Sequence, residues 1–131
     1  KQCIVISIPC KKNENNKWEV FINGGRDKTN LDVFDWAQKA VSLGAGELLI
    51  TSIDKDGSRK GFDLNLMNKF NIINDIPIIV SGGLGNFSHL NELLEVSNCE
   101  GVAVADYLHM KRGTIKGLKD SISGTNYIIR I

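Results

Sequence analysis

Residues 76–86 read Ile-Pro-Ile-Ile-Val-Ser-Gly-Gly-Leu-Gly-Asn, and the fold class can be predicted from this segment. A short apolar run rich in β-branched residues, without alternation of apolar and polar side chains, is typical of a parallel strand buried on both faces. The glycines that follow predict a tight loop. The pattern from Phe87 to Val96 predicts a helix with Asn86 or Ser88 as its cap. The stretch is therefore one strand–loop–helix unit of an α/β protein.

The same unit recurs four times along the chain, which predicts a parallel sheet. The predicted strands are Cys3–Ile8, Leu48–Ile53, Ile76–Val80 and Gly101–Ala105, and the predicted helices are Leu31–Leu43, Leu64–Ile73, Phe87–Val96 and Lys111–Asp120. Trp18–Ile22 predicts one arm of a hairpin, and Tyr127–Ile129 predicts a terminal strand or docking tail. Two architectures fit, a doubly wound sheet or half of a (βα)8 barrel, which needs roughly 250 residues when complete. Both place functional loops at the carboxyl ends of the strands.

The composition predicts one cytoplasmic domain over residues 1–131. The net charge of +1 gives no reason to expect nucleic acid or an anionic membrane as a partner. No apolar run approaches the roughly 18 residues that span a bilayer, and no signal-like segment opens the chain. The chain starts at Lys1 without a methionine, so it is either processed or a piece of a longer protein, and the fold argument favours a piece.

Three cysteines, an odd number without metal-like spacing, predict neither a disulfide framework nor a metal site. Cys3 and Cys99 stand among apolar residues and are expected to be core thiols. Cys10 precedes two lysines, which could favour its thiolate. A small residue at a strand end is the interpretation we favour for it.

Two loops that follow predicted strands carry candidate chemistry. Asp54 and Asp56, followed by Gly57, could act as a general base or bind sugar hydroxyls. The alternative is a solvated acidic turn, because aspartate and glycine are common turn residues. The segment Ser81-Gly82-Gly83 opens towards a helix and could hold a phosphate on backbone N–H groups, or form a tight turn without a ligand. Residues 23–30, with two glycines and two cations, could close over a phosphorylated ligand or form a mobile surface loop.

Taken together, these residues resemble the cyclase subunit of imidazole glycerol phosphate synthase, the HisF family. The resemblance covers essentially the whole chain and only the C-terminal half of that barrel. The motifs that carry it are Gly24-Gly25-Arg26, Asp35-Trp36, Gly44-Ala45-Gly46-Glu47, Leu48–Ile53, Asp54-x-Asp56-Gly57, Gly61-Phe62-Asp63 and Pro77–Gly83. Several motifs in the correct order are far more specific than any one of them.

The resemblance implies an activity and its partners. The complete enzyme takes ammonia from a HisH-like glutaminase, passes it through the barrel, and forms imidazole glycerol phosphate from a ribonucleotide with a phosphate at each end. The family uses two catalytic aspartates, one in each half, and neither a metal nor a redox cofactor. Asp56 is the remaining candidate catalytic residue in this chain. The matching substrate or phosphate positions are Thr51, Asp54, Gly57, Ser81, Gly82 and Gly83. Glu47 matches a ring of charges that gates ammonia entry, or is simply a surface carboxylate.

Two substitutions depart from the family pattern. Pro9 stands at the position of the catalytic aspartate and cannot transfer a proton. Asp106 stands at a phosphate-binding serine position, where its carboxylate would repel a phosphate. Either Asp106 turns away from the ligand, or the ligand lacks a phosphate there.

These observations leave three hypotheses. The first is the histidine-pathway cyclase, with the isolated chain expected to be inactive. The second is a divergent ammonia-channelling partner of an amidotransferase that amidates or amidinates surface sugars, which Pro9 and Asp106 favour. The third is a non-catalytic half barrel that pairs with a copy of itself or with the N-terminal half, because half a closed sheet has open edges and an uncovered face.

Overall fold

The computed structural model describes residues 3–130, which form one mixed sheet and five helices. Within these residues the strands are β1 (Val5–Lys12), β2 (Trp18–Ile22), β3 (Asp27–Asp32), β4 (Glu47–Ser52), β5 (Ile78–Ser81) and β6 (Gly101–Ala103). The helices are α1 (Val33–Ser42), α2 (Leu64–Phe70), α3 (Phe87–Val96), α4 (Asp106–His109) and α5 (Ile115–Ile122). The strand order across the sheet is β3-β2-β1-β4-β5-β6.

The predicted parallel sheet is confirmed for β1, β4, β5 and β6. Their registers place residues in rows that run across the sheet. One row near the carboxyl ends of the strands is Pro9, Thr51, Ser81 and Ala103. Each of these four strands begins and ends within four residues of its predicted bounds, and the largest difference is at the end of β1.

Only one face of the parallel strands is covered by helices. Side chains alternate between the faces of a strand. Along β4, the residues Leu48, Ile50 and Ser52 are buried, whereas the residues between them are only half-buried. The covered face packs against apolar residues of the helices, among them Val33, Ala37, Leu66, Met67, Phe70, Leu90, Leu93 and Leu118.

The opposite side of the sheet, here called the uncovered face, carries Val5, Ser7 and Pro9 of β1 and Glu47, Leu49 and Thr51 of β4. Val5 is 49% exposed. A doubly wound sheet has helices on both faces, whereas the helices of residues 3–130 cover one face of this sheet. The one-sided packing therefore agrees with half of a (βα)8 barrel.

β1 extends four residues beyond its predicted end, through Pro9 to Lys12. The carbonyl oxygens of Ile4 and Cys10 accept hydrogen bonds from the β4 side, from Gly46 and Ile53. The backbone N–H and C=O groups of successive residues in β1 point alternately to the strands on either side, so those of Pro9 point away from β4. The N–H that proline lacks would have pointed to the side of β1 opposite β4, and therefore no hydrogen bond between β1 and β4 is lost.

The hairpin arm predicted at Trp18–Ile22 is confirmed as β2, but its partner was missed. The expected loop over residues 23–30 is wrong from Asp27 onward, because Asp27–Asp32 forms β3, antiparallel to β2. Leu31 therefore belongs to a strand, and α1 begins at Val33. Asp32 caps α1, accepting hydrogen bonds from the backbone N–H of Phe34 (2.8 Å) and of Asp35 (3.2 Å).

The carboxyl-terminal region differs most from its prediction. The helix expected at Lys111–Asp120 is α5, which begins four residues later and is capped by Thr114, and the short α4 before it was not predicted. Residues 127–129 form no strand. The Tyr127 hydroxyl instead donates to the Leu94 carbonyl at 2.6 Å, a contact that the docking alternative would require, whereas Ile128 is fully exposed. Among residues 3–130, no helix combines the length and apolar character needed to cross a membrane.

Candidate functional site

Three loops that follow β4, β5 and β6 enclose a pocket of about 130 Å³, here called the rim pocket. Parallel strands bring their carboxyl ends to one edge of a sheet, which is why these loops meet. Six of the predicted site residues line it: Asp56, Gly57, Ser81, Gly82, Gly83 and Asp106. Asp56 and Gly83 therefore lie at the same edge of the sheet.

Asp56 reaches the rim pocket from a tight turn after β4. Its backbone N–H donates to the Ser52 carbonyl at 2.9 Å, which fixes the turn. Its side chain is exposed, and among residues 3–130 its carboxylate takes part in no hydrogen bond or ion pair. Asp56 therefore offers two open acceptor oxygens to a ligand.

The glycines of the β5–α3 loop hold two loops together. Gly83 has φ +114°, and a Cβ there would overlap the carbonyl of Gly61. The Gly61 N–H donates to the Gly83 carbonyl at 2.8 Å. A Cβ on Gly82 would lie 2.9 Å from the Ser52 carbonyl oxygen. The missing side chains therefore serve loop packing, whether or not a ligand also approaches this backbone.

Asp106 lines the rim pocket with its carboxylate bound to two arginines. Oδ2 accepts from Arg59 Nε at 3.0 Å and from Arg112 Nη1 at 2.6 Å, and Oδ1 accepts from Arg59 Nη2 at 3.3 Å. The hydrogen bonds from Arg59 and then those from Arg112 hold the pKa of the Asp106 carboxyl below its usual value. Asp106 is thus one of the residues that line the pocket, and its carboxylate is ionised and paired.

Sequence reasoning missed both arginines. Arg59 lies in the same loop as Asp56, and Arg112 follows α4. The only signal in the sequence was that each arginine lies close to a candidate loop. Ordinary surface cations also lie close to loops, so this signal does not identify a site residue. Tyr107 was missed as well. Its ring is buried, packs edge-on against Phe87 at 6.1 Å between ring centroids, and fills the space beside Gly113.

Other predicted site residues lie outside the pocket lining. Thr51 lies in the same row as Ser81, on the uncovered face, but is not part of the pocket lining. The Asp54 carboxylate accepts from the Lys12 N–H at 2.9 Å and so joins the β4–α2 loop to the end of β1. Gly25, in the hairpin turn, packs towards Ile53, and Arg26 is exposed. Glu47 begins β4, at the opposite end of the strand from Asp56.

Cys10 is confirmed as a small buried residue at a strand end. Its thiol is fully buried and points to the Thr51 carbonyl oxygen at 3.6 Å. Burial, with the nearby charges of Asp63 and Asp54, raises the pKa of Cys10 to about 12. A thiol held neutral in this way is a poor nucleophile. Cys99 packs against the core as expected, but the prediction for Cys3 is wrong, because Cys3 is exposed.

Within residues 3–130, no three His, Cys, Asp or Glu side chains come together as a metal site would require. The groups that converge on the rim pocket are a single open carboxylate, an ion-paired carboxylate with its arginines, and the backbone of a glycine loop. This set can bind and orient a small polar ligand and can accept a proton at Asp56.

Comparison with known proteins identifies relatives over the whole chain. The family model described as "Histidine biosynthesis protein" matches residues 1–114. The "Imidazole glycerol phosphate synthase subunit HisF" of Clostridium botulinum (strain Okra) is 41% identical over 99% of this chain and 52% of the relative. The HisF subunits of a Hydrogenobaculum species and of Prochlorococcus marinus are 42% and 43% identical, over 99% and 98% of this chain and 52% and 51% of their own lengths.

This chain thus spans about half the length of the curated relatives that it matches. The resemblance found in the motifs therefore extends along the chain, and the one-sided sheet agrees with half of such a protein. The chain belongs to the histidine biosynthesis protein family, as a homologue of HisF subunits of imidazole glycerol phosphate synthase.

Proposed function

We propose that this chain is the C-terminal half barrel of a HisF-like enzyme that uses glutaminase-derived ammonia, and that its acceptor substrate is not the histidine-pathway ribonucleotide. By acceptor substrate we mean the molecule that receives the nitrogen. The observation that carries the proposal is Pro9, which stands in the row with Thr51, Ser81 and Ala103 where the resemblance implies a catalytic aspartate. Proline offers no group that can exchange a proton there.

Asp56 is the residue we assign to proton transfer or hydroxyl binding. It is the carboxylate of the rim pocket that has no protein partner among residues 3–130. Its open oxygens can accept hydrogen bonds from sugar hydroxyls or take a proton from an incoming amine. Ser81, Gly82 and Gly83 complete the wall facing it and would position the same ligand.

The uncovered face supports an ammonia route. Glu47, Leu49 and Thr51 lie on this face in order from the amino end of β4 to its carboxyl end. In a closed barrel the same face would be the interior. Ammonia released by a HisH-like glutaminase at the amino end would pass Glu47 first and reach the rim pocket last.

The histidine-pathway cyclase is the second candidate. It is favoured by identities of 41–43% to HisF subunits along nearly the whole chain. Asp56, Gly82 and Gly83 are placed together, as that reading also requires.

One assay separates the two candidates. The complete protein that carries this chain is supplied with ammonium and the histidine-pathway ribonucleotide, and ring formation is followed. The HisF subunit of Hydrogenobaculum serves as the positive control. We expect no ring formation in the native protein or in the Pro9→Asp variant, since Asp106 also departs from the family pattern. Robust turnover by the native protein would establish the second candidate instead.

A further inference from the structure

The strongest charged feature at the rim pocket is the group Arg59, Asp106 and Arg112, here called the rim ion cluster. Arg59 comes from the β4–α2 loop, Asp106 starts α4, and Arg112 follows α4. The Asp106 carboxylate accepts three charge-assisted hydrogen bonds, two from Arg59 and one from Arg112. Such bonds are the strong ones, and the fork of Arg59 matches a carboxylate in the same way that it would match a phosphate.

The cluster therefore has the form of an anion site whose anion is part of the chain. Two guanidinium groups converge on one carboxylate, and one of them, that of Arg59, lines the pocket together with Gly82 and Gly83. Converging guanidinium groups beside a glycine loop are suited to phosphate oxygens, but here the oxygens of Asp106 take up their hydrogen bonds. The side chains of Arg59, Asp106 and Arg112 are 47%, 35% and 24% exposed, so a ligand in the pocket can still touch the cluster.

We propose that Asp106 is a built-in counter-ion that closes this end of the rim pocket to phosphate, so that the acceptor substrate presents a neutral, hydroxyl-bearing sugar end there. This inference rests on the proposed function and names the substrate class for the same pocket. Asp106 acts as a specificity-determining residue, because its charge excludes one class of ligand.

Charge and hydrogen-bonding capacity both support a neutral ligand end. A phosphate entering the pocket would meet a carboxylate already ionised by its arginines, and the two anions would repel each other. A sugar hydroxyl can donate to a remaining lone pair of Asp106 and accept from an N–H of Arg59 that the carboxylate does not use. The cluster thus offers a donor and an acceptor side by side to a ligand without charge.

The test is a gain of phosphate binding when the counter-ion is removed. The native chain and the Asp106→Ser variant are titrated with inorganic phosphate at constant ionic strength set with chloride. Binding is followed by the NMR signals of the Gly82 and Gly83 amides and of the Arg59 side chain. We expect no saturable shifts in the native chain, and phosphate binding at least ~10-fold tighter in the variant, because two guanidinium groups lose their anion.

Two further variants keep the test decisive. Arg59→Gln combined with Asp106→Ser should lose the gain, since the bidentate partner is then missing. Asp106→Asn removes the charge with almost no change of shape, and the same direction of change is expected if the serine variant fails to fold, as judged by circular dichroism. Native binding as tight as that of the serine variant, or a folded serine variant without gain, would overturn the inference.

The titration is independent of turnover, so its failure differs from failure of the proposed function. If the native protein cyclises the histidine-pathway ribonucleotide, the proposed function is wrong, whatever the titration shows. If the native chain binds phosphate at Gly82 and Gly83 but forms no ring, the inference about Asp106 is wrong and the proposed function stands.

Discussion

Single glycines in the rim loops allow two loops to pack closely against each other, and the sequence pattern could not distinguish this role from ligand binding. A phosphate that approaches the backbone and a neighbouring loop that presses on it both exclude a Cβ. From Ser81-Gly82-Gly83 the sequence predicted either a phosphate held on the backbone or a tight turn, and it did not predict that another loop packs against these glycines. In the structure, the neighbour of Gly83 is Gly61, on the preceding loop.

Replacing Gly83 with alanine should destabilise the fold strongly. The variant must both hold φ +114° with a Cβ and push back the Gly61 carbonyl. We expect the free energy of unfolding to fall by more than ~2 kcal/mol. Gly57→Ala is the matched control, because Gly57 has φ +71° but open space around its Cβ position. Its loss should be about 1 kcal/mol. Equal losses in urea denaturation would contradict the packing role of Gly83.

The cysteines should differ sharply in reactivity. Cys3 is exposed, whereas Cys10 is buried and has a pKa raised to about 12 by burial. The thiolate is the reactive form, so a maleimide at neutral pH should modify Cys3 first and leave Cys10 intact until the chain is unfolded in urea. Mass spectrometry of peptides measures each site. Modification of Cys10 in the folded chain at the rate seen for Cys3 would show that the strand end is open.

Strands and helices with strong periodicity were predicted well, and polar or very short ones were missed. α3 has the predicted bounds because its apolar side and its Asn86 cap agree. β3 escaped prediction because every residue of 27–32 except Leu31 is polar, as suits an edge strand with both sides near solvent. α4 has only four residues, too few for any periodic pattern.

The rim ion cluster joins the β4–α2 loop to α4, and this link should depend on pH. Asp106 has a lowered pKa because Arg59, and then Arg112, donate hydrogen bonds to its ionised form. A lowered folded-state pKa means stabilisation that is present above the ordinary value of 3.8 and is lost as the pH falls through the folded-state pKa. Asp106→Asn should therefore be less stable than the native chain at neutral pH, and the difference should shrink below about pH 4.

Urea denaturation at a series of pH values measures this difference. Asp120→Asn is the control, because the ion pair of Asp120 with Lys116 is highly exposed. Exposed pairs of this kind contribute at most a few tenths of a kcal/mol, so the control should track the native chain. A difference between native and Asp106→Asn that grows as the pH falls would refute the linkage.

For the molecule as a whole, the repeated strand–helix unit predicted the parallel sheet, and the motifs predicted the family. The sequence placed candidate residues on all three loops of the rim pocket, but it did not indicate Arg59 and Arg112, which approach Asp106 only once the chain has folded. Continuously apolar strands predicted cover on both faces, which left both architectures open, and the family resemblance favoured the half barrel. In the structure, helices cover one face of the sheet. On the opposite face, Val5 is half-exposed.

We propose that the uncovered face forms part of the interior of a closed barrel, so that in this chain alone it associates with another apolar surface. Sedimentation velocity of this chain over a range of concentrations measures that association. We expect self-association that grows with concentration and weakens in Val5→Lys, whereas Leu43→Lys, which alters an exposed residue after α1, should leave it unchanged. A chain that stays monomeric at every concentration and binds no apolar dye would contradict it.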